Sequence, residues 1–181
     1  CDAVVHLAAI PAHRLSVENP YDVIYNNYIA TLNIVSVCSF YKKKLIYASS
    51  FSVYGKQEVP WTEDMLLQSD TPYAHAKVAC EDLLHLFHKL YGANIIIARF
   101  SNVYGEHEEL HEPIQVLPIW FKAYKEGKPL KVCGDATTSD WTYVGDVVNA
   151  LLLLMEQNGF EIYNVCRGRE LSLLTVAKLF C

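Results

Sequence analysis

The 181 residues contain no apolar run long enough to cross a bilayer: the longest, "ALLLLM" at 150 to 155, is far too short. No charged segment followed by an apolar core opens the chain, so neither a membrane span nor a signal peptide is expected. Basic charge is scarce, with 15 Lys and Arg against 20 Asp and Glu and a net charge of -5. The one basic cluster is Lys42, Lys43 and Lys44, so nucleic acid and membrane surfaces are not expected as partners. Six cysteines are scattered at 1, 38, 80, 133, 166 and 181, without a C-x-x-C pair or a Cys/His ligand spacing. A reduced, cytoplasmic setting is therefore expected.

Two further absences narrow the chemistry. No G-x-S-x-G is present, which argues against a hydrolase nucleophile among the serines. "HEELH", His107 to His111, satisfies the H-E-x-x-H zinc pattern. Gly105 two residues before it and Pro113 two residues after it leave too little helix to aim both histidines, so a polar loop and no metal are expected. His85 and His88 have no third ligand in view and read as exposed helix surface.

A hydrophobic content of 52% is ample for a packed core. Three uncharged or nearly uncharged runs, "AVVHLAA" (3 to 9), "KLIYAS" (44 to 49) and "NIIIARF" (94 to 100), read as buried strands. Between them lie two helical patterns. One opens on Asn19-Pro20; the other, "TPYAHAKVACEDLLHLFHKLYG", has Thr71 to cap it, Pro72 in its first turn and Gly92 to close it. Alternating strand and helix predicts an α/β fold with a parallel sheet and crossover helices. Beyond residue 101 the pattern loosens: a loop, a helix near 114 to 127, short runs "PLKVCG" and "DWTYV", a helix near 145 to 158, a strand "EIYNV" and a last helix after Leu171.

Ligands of an open parallel sheet bind beyond the carboxyl ends of its strands. "YASSFSVYG", 47 to 55, places three serines and a tyrosine at such an end. Tyr73 and Lys77 lie four apart on one helix and so share a face. An ammonium near a phenol favours the phenolate, so the pair is expected to supply a tyrosine base with a lowered pKa. Ser50, leaving the strand toward the same crevice, would hydrogen-bond a substrate oxygen while Tyr73 takes its proton.

In order, "VVHLAA", "NNYIATLN", "YASSFSVYG", "PYAHAK", "RFSNVYG" and "GDATTSDWTYVGDVVNA" resemble the extended short-chain dehydrogenase/reductase family, the NAD-dependent sugar-nucleotide epimerases and dehydratases. The resemblance implies a Rossmann-type fold, with 1–113 the C-terminal part of the NAD-binding domain and 114–181 substrate-lobe and returning sheet elements. It implies a triad of Ser50, Tyr73 and Lys77, with Tyr73 the acid/base and Lys77 on the nicotinamide ribose. Leu7, Ala8, Ala9, Asn27, Ser49 and Ser101 fall on cofactor-side positions; Asn102, Gln115 and Val116 fall on substrate-side ones. NAD is the expected cofactor, with NADP left open, and a nucleotide sugar, UDP-linked by preference, is the expected substrate. A homodimer is implied in the same way.

Two positions depart from the pattern. Ser139 stands where the family usually has an arginine, and Cys133 where many relatives have an aromatic, so the nucleotide stays open. The residues after Ser50 bear on the reaction: dehydratases of the family typically carry Asp-Glu there and decarboxylases a Glu, whereas this chain has Phe51 and Ser52. The expected reaction is C4 inversion through a 4-keto sugar. A keto-sugar reductase or dehydratase of the same family, and a non-catalytic dinucleotide-binding module, are the alternatives. Arg14 matches an arginine of the uronate-acting epimerases, and a solvated surface arginine is the preferred reading of it. No G-x-x-G-x-x-G precedes "AVVHLAA", so the chain is expected to be the middle of a larger enzyme.

Overall fold

The structure, a computed structural model, describes residues 1–11, 13–108, 115–134 and 137–180. The chain divides into two compact units, residues 1–100 with 149–165 and residues 101–148 with 166–181.

In the first unit, strands β1 (Ala3–His6), β2 (Lys44–Ser50) and β3 (Ile95–Phe100) are joined by crossover helices. The first crossover holds α1 (His13–Glu18) and α2 (Pro20–Phe40); the second holds a 3-10 turn at Phe51–Tyr54 and α3 (Pro72–Tyr91). All neighbouring strands are parallel in the order β1, β2, β3, β6, where β6 is Phe160–Val165. Both parities of β2 and β3 are buried, Leu45, Ile46, Tyr47 and Ala48 against Ile95, Ile96, Ile97 and Ala98. That is why these runs carry no polar alternation.

Local chemistry sets the helix ends as the sequence predicts. Asn19 caps α2, and Pro20 fits the first turn, where a missing N–H costs nothing. Thr71 Oγ1 accepts the Ala74 N–H at 3.2 Å to open α3, and Gly92, at φ +64°, closes it by donating to the His88 carbonyl. Val35, Cys38, Cys80, Leu83 and Leu84 of the two helices pack on Leu45, Tyr47, Ile95 and Ile97 of the sheet. By length and composition alone α2 could cross a membrane. Its buried face, Val23, Asn27, Thr31, Val35 and Cys38, instead packs as a core helix against β1, β2 and α3.

In the second unit, β4 (Asn102–Tyr104) pairs parallel with β5 (Thr138–Tyr143), which pairs antiparallel with β7 (Glu170–Ser172). Helix α4 (Val116–Lys125) and helix α6 (Leu173–Lys178) complete a core of Trp120, Trp141, Val176 and Ala177. Helix α5 (Val144–Leu154) begins in this unit and ends in the first.

Several short elements depart from the sequence reading. Helix α5 stops at Leu154, short of the expected 158, before a turn ending at Gly159. "PLKVCG" forms no strand. Its Leu130 and Val132 still point into the core, and the Lys131 carbonyl accepts Trp120 Nε1 at 2.9 Å, so side-chain packing replaces a ladder partner. Helix α1, the 3-10 turn, β4 and β7 have three to six residues each, too few for a periodic pattern to register.

Candidate active site

Parallel register brings the carboxyl ends of β1, β2, β3 and β6, at His6, Ser50, Phe100 and Val165, along one edge of the first unit's sheet. Ser50 is the last residue of β2, and its Oγ accepts the Ser52 N–H at 3.2 Å, which turns the chain into the 3-10 turn. The same hydroxyl stands by the phenol of Tyr73 in the first turn of α3, near enough to favour the phenolate. One helical turn on, Lys77 Nζ donates to the Ala48 carbonyl at 2.7 Å and lies 4.8 Å from the Tyr47 ring centroid and 5.9 Å from that of Tyr73. Ser50, Tyr73 and Lys77 therefore meet as the spacing predicts.

Their electrostatics differ from the expectation. Tyr73 is buried, and burial pushes its pKa above the ordinary value near 10, opposed only by the Ser50 hydroxyl. Burial lowers Lys77 to about 8, with Cys80 and Glu81 acting in the opposite direction. Desolvation favours the neutral form of each group, so the sign is opposite for phenol and ammonium. The expected depression of the tyrosine by the lysine is not present: the ammonium is turned to a main-chain carbonyl and to the face of Tyr47.

The other predicted positions of this unit take distinct places. Leu7 and Ala8 are exposed just beyond β1, with Ala9 half-buried. Asn27 is buried and clamps that segment: its Oδ1 accepts the Ile10 N–H at 2.7 Å and its Nδ2 donates to the Ile10 carbonyl at 3.3 Å. Ser49 faces inward, where its hydroxyl donates to Glu81 Oε1.

Ser101, Asn102, Gln115 and Val116 belong to the second unit. Ser101 Oγ donates to Asp140 Oδ1 at 2.9 Å and bonds Thr142 Oγ1 at 2.7 Å; Asn102 Nδ2 donates to Ser139 Oγ at 2.9 Å. Gln115 is the exposed residue before α4 and caps it with no side-chain bond; Val116 is its first residue. A cavity of about 1100 Å³ lies within this unit, lined among others by Tyr104, Phe121, Lys122, Trp141, Tyr143 and Arg167. The side chain of Arg14, and Glu109 to His111 of the H-E-x-x-H string, lie outside the described residues. Among the described residues no group of three or more His, Cys, Asp or Glu could hold a metal ion.

The structure adds residues that the sequence reading passed over. Asp140 accepts four hydrogen bonds, from Ser101 Oγ, Thr142 Oγ1 and the N–H groups of Arg167 and Arg169. Burial works against its charge, but these donors outweigh it and hold the carboxylate below its usual range. Glu81 and Arg99 form a buried ion pair, Oε2 to Nη2 2.7 Å, on α3 and β3. The signal for Glu81 was available: Tyr73, Lys77 and Glu81 recur every four residues on one face.

A family model described as the NAD dependent epimerase/dehydratase family matches residues 1–166. The chain belongs to the NAD-dependent epimerase/dehydratase family. It is 35% identical over 171 residues to a UDP-glucuronate 4-epimerase of Thermodesulfobacterium geofontis, covering 93% of this chain and 52% of that protein. It therefore spans about half the length of the curated relatives it matches. Among solved structures, UDP-glucose 4-epimerase of Thermotoga maritima with UDP-glucose superposes with a TM-score of 0.93 at 29% identity, covering 99% of this chain and 60% of the other. UDP-glucuronic acid 4-epimerase of Bacillus cereus, in complex with UDP-glucuronic acid and NAD, gives 0.90 at 31% identity, covering 99% and 58%. This family member thus shares with them a parallel-sheet α/β fold.

Proposed function

We propose that the protein to which this chain belongs is an NAD-dependent 4-epimerase of a nucleotide-activated sugar. The observation that carries this reading is the placement of the Ser50 hydroxyl by the Tyr73 phenol at the carboxyl end of β2, with Lys77 one turn farther along α3.

The residues present fit a nicotinamide ribose. Lys77 is an ammonium with three N–H donors, of which the Ala48 carbonyl takes one. Its remaining donors suit a ribose diol, and the small Ala8 and Ala9 beyond β1 let a flat ligand approach the backbone. When bound, the nicotinamide supplies reversible hydride acceptance at the sugar carbon. Tyr73 Oη takes the proton of the sugar O4 hydroxyl, and Ser50 Oγ holds that oxygen by hydrogen bonding to both. The sugar turns over as a 4-keto form, and Tyr73 returns the proton to the oxygen once the opposite face is presented. Lys77, while protonated, would orient the ribose.

The residues beside Ser50 favour epimerisation over loss of water. Phe51 packs edge-on against Tyr54 and Trp61 and the Ser52 hydroxyl is buried; neither residue carries a carboxylate. Glu81 is held by Arg99, and Glu63 Oε1 by the Asn164 N–H. In the second unit, Tyr104, Trp141 and Tyr143 line one cavity with the cations Lys122 and Arg167, a lining that suits an aromatic base and a diphosphate.

The test is to incubate the full-length protein with NAD and UDP-hexoses or UDP-hexuronates and to resolve C4 epimers by NMR. Epimer formation without net NADH, lost in Tyr73→Phe, is the expected result. Release of water or net consumption of NADPH would replace the epimerase by a dehydratase or a reductase. Turnover retained in Tyr73→Phe would overturn the assignment of the base.

A further inference from the structure

Glu81 and Arg99 are fully committed to each other and to the elements that carry the site. Arg99 Nε donates to Glu81 Oε1 and Oε2 at 3.1 and 3.3 Å, and Nη2 donates to Oε2 at 2.7 Å. Arg99 Nη1 donates to Tyr54 Oη at 2.8 Å and to the Glu63 carbonyl at 3.1 Å. Tyr54 Oη passes its own proton to Asn164 Oδ1 at 2.7 Å on β6, and Ser49 donates to Glu81. The two charged side chains are 5% and 2% exposed.

A buried ion pair is costly to desolvate and is weak evidence for stability, so its value is to be sought in what it fixes. Here it fixes both flanks of Ser50. Ser49, directly before it, is held by Glu81; Tyr54, four residues after it, is held by Arg99. Glu81 is also two helical turns beyond Tyr73 on the same face of α3, so the carboxylate ties the helix bearing the phenol to the strand bearing the serine.

We propose that Glu81 and Arg99, acting through Ser49 and Tyr54, are positioning residues that set where the Ser50 hydroxyl stands relative to the Tyr73 phenol. The proposal rests on the reading of Ser50 and Tyr73 as the reacting pair. None of the four touches the reacting atoms; their effect is on where Ser50 Oγ stands relative to Tyr73 Oη.

Ser49→Ala and Tyr54→Phe each delete one hydroxyl while keeping the shape of a buried side chain, and they test the proposal in the full-length protein. Small misplacements of reacting groups are costly to rate, so kcat is expected to fall about tenfold or more in each. KM for the nucleotide sugar is expected to change less than about twofold, because ground-state binding contacts are untouched. Arg99→Lys keeps the charge without the fork and is expected to behave like Tyr54→Phe. Leu84→Ala, a cavity in the same helix, serves as the structural control, with lowered Tm and wild-type kcat below its transition. Ser49→Ala and Tyr54→Phe behaving like that control would overturn the proposal. Tyr73→Phe run in parallel separates the two failures: if it retains turnover, the reacting pair itself is misassigned and the positioning role falls with it.

Discussion

The opposite shifts of Tyr73 and Lys77 predict a pH profile with a defined shape. In the proposed mechanism, taking a proton from the sugar hydroxyl requires a phenolate at Tyr73 while Lys77 is still an ammonium that can hold the ribose. Tyr73 lies above its ordinary value near 10, whereas Lys77 loses its proton at about 8. The competent arrangement is therefore the minor one for a proton shared by the two groups. Because burial makes the phenol hold its proton more tightly than the ammonium, this arrangement is a small minority of the singly protonated pair.

The signs give the profile. Below pH 8 both groups hold their protons, and the competent fraction grows about tenfold per pH unit as the phenol ionises. Above pH 8 the ammonium is lost as fast as phenolate is gained, and kcat/KM levels. Lys77→Arg keeps a cation that does not titrate in this range, so its profile is expected to keep rising through pH 10. The assay is kcat/KM for the nucleotide sugar between pH 5.5 and 10 in the full-length protein, for both forms. Wild-type activity rising through pH 10, or levelling at the same pH in Lys77→Arg, would refute the assignment of the break to Lys77.

Four further outcomes concern stability. Glu81→Ala leaves the Arg99 guanidinium buried without its carboxylate and should cost about 3–5 kcal/mol in urea denaturation followed by tryptophan emission, since Trp61 stacks on Tyr54 at 5.2 Å. Glu81→Leu combined with Arg99→Met should lie much closer to wild type, because no unpaired charge remains; a double variant as unstable as the single one would contradict this. Thr71→Ala removes the α3 cap and should cost about 1 kcal/mol by the same measurement, with Thr71→Ser restoring most of it. Gly55 closes the 3-10 turn at φ +64°, where a Cβ would stand 1.9 Å from the Gln68 carbonyl oxygen; Gly55→Ala should cost about 3 kcal/mol or more, and a neutral outcome would mean that the turn is free to shift.

The long elements were legible because their chemistry is local or strictly periodic. Uninterrupted Ile95, Ile96 and Ile97 announce a strand buried on both faces, and Thr71, Pro72 and Gly92 mark the two ends of α3 without reference to anything distant. Ser50, Tyr73 and Lys77 were legible for a related reason, since helical spacing and a strand end suffice to bring them to one edge. What those positions do electrostatically was not legible. Burial is a property of the assembled sheet and helices, and it reversed the expected effect on Tyr73 even though the geometry was right.

The same distinction explains Asn27, Ser49 and Asp140, each a polar residue whose motif position was readable while its partner was not. Asn27 closes on Ile10, 17 residues away; Ser49 on Glu81, 32 away; Asp140 on Ser101, 39 away, and on Arg167, 27 away. No periodicity links such pairs, because each joins two elements whose relative placement is set by packing. Ser49 and Ser50 make the point at single-residue scale. Both are serines at the end of β2, but they meet different turns of α3: Ser49 reaches Glu81, two turns into the helix, and Ser50, one residue on, stands by Tyr73 in its first turn. The hydroxyls in "YASSFSVYG" thus divide: Ser49 anchors the strand to Glu81, and Ser50 ends it by Tyr73 and opens the turn toward Ser52. A slip of one residue in this strand would put Ser49 at its end and Ala48 beside Glu81, so the register of β2 against β3 sets where both serines stand.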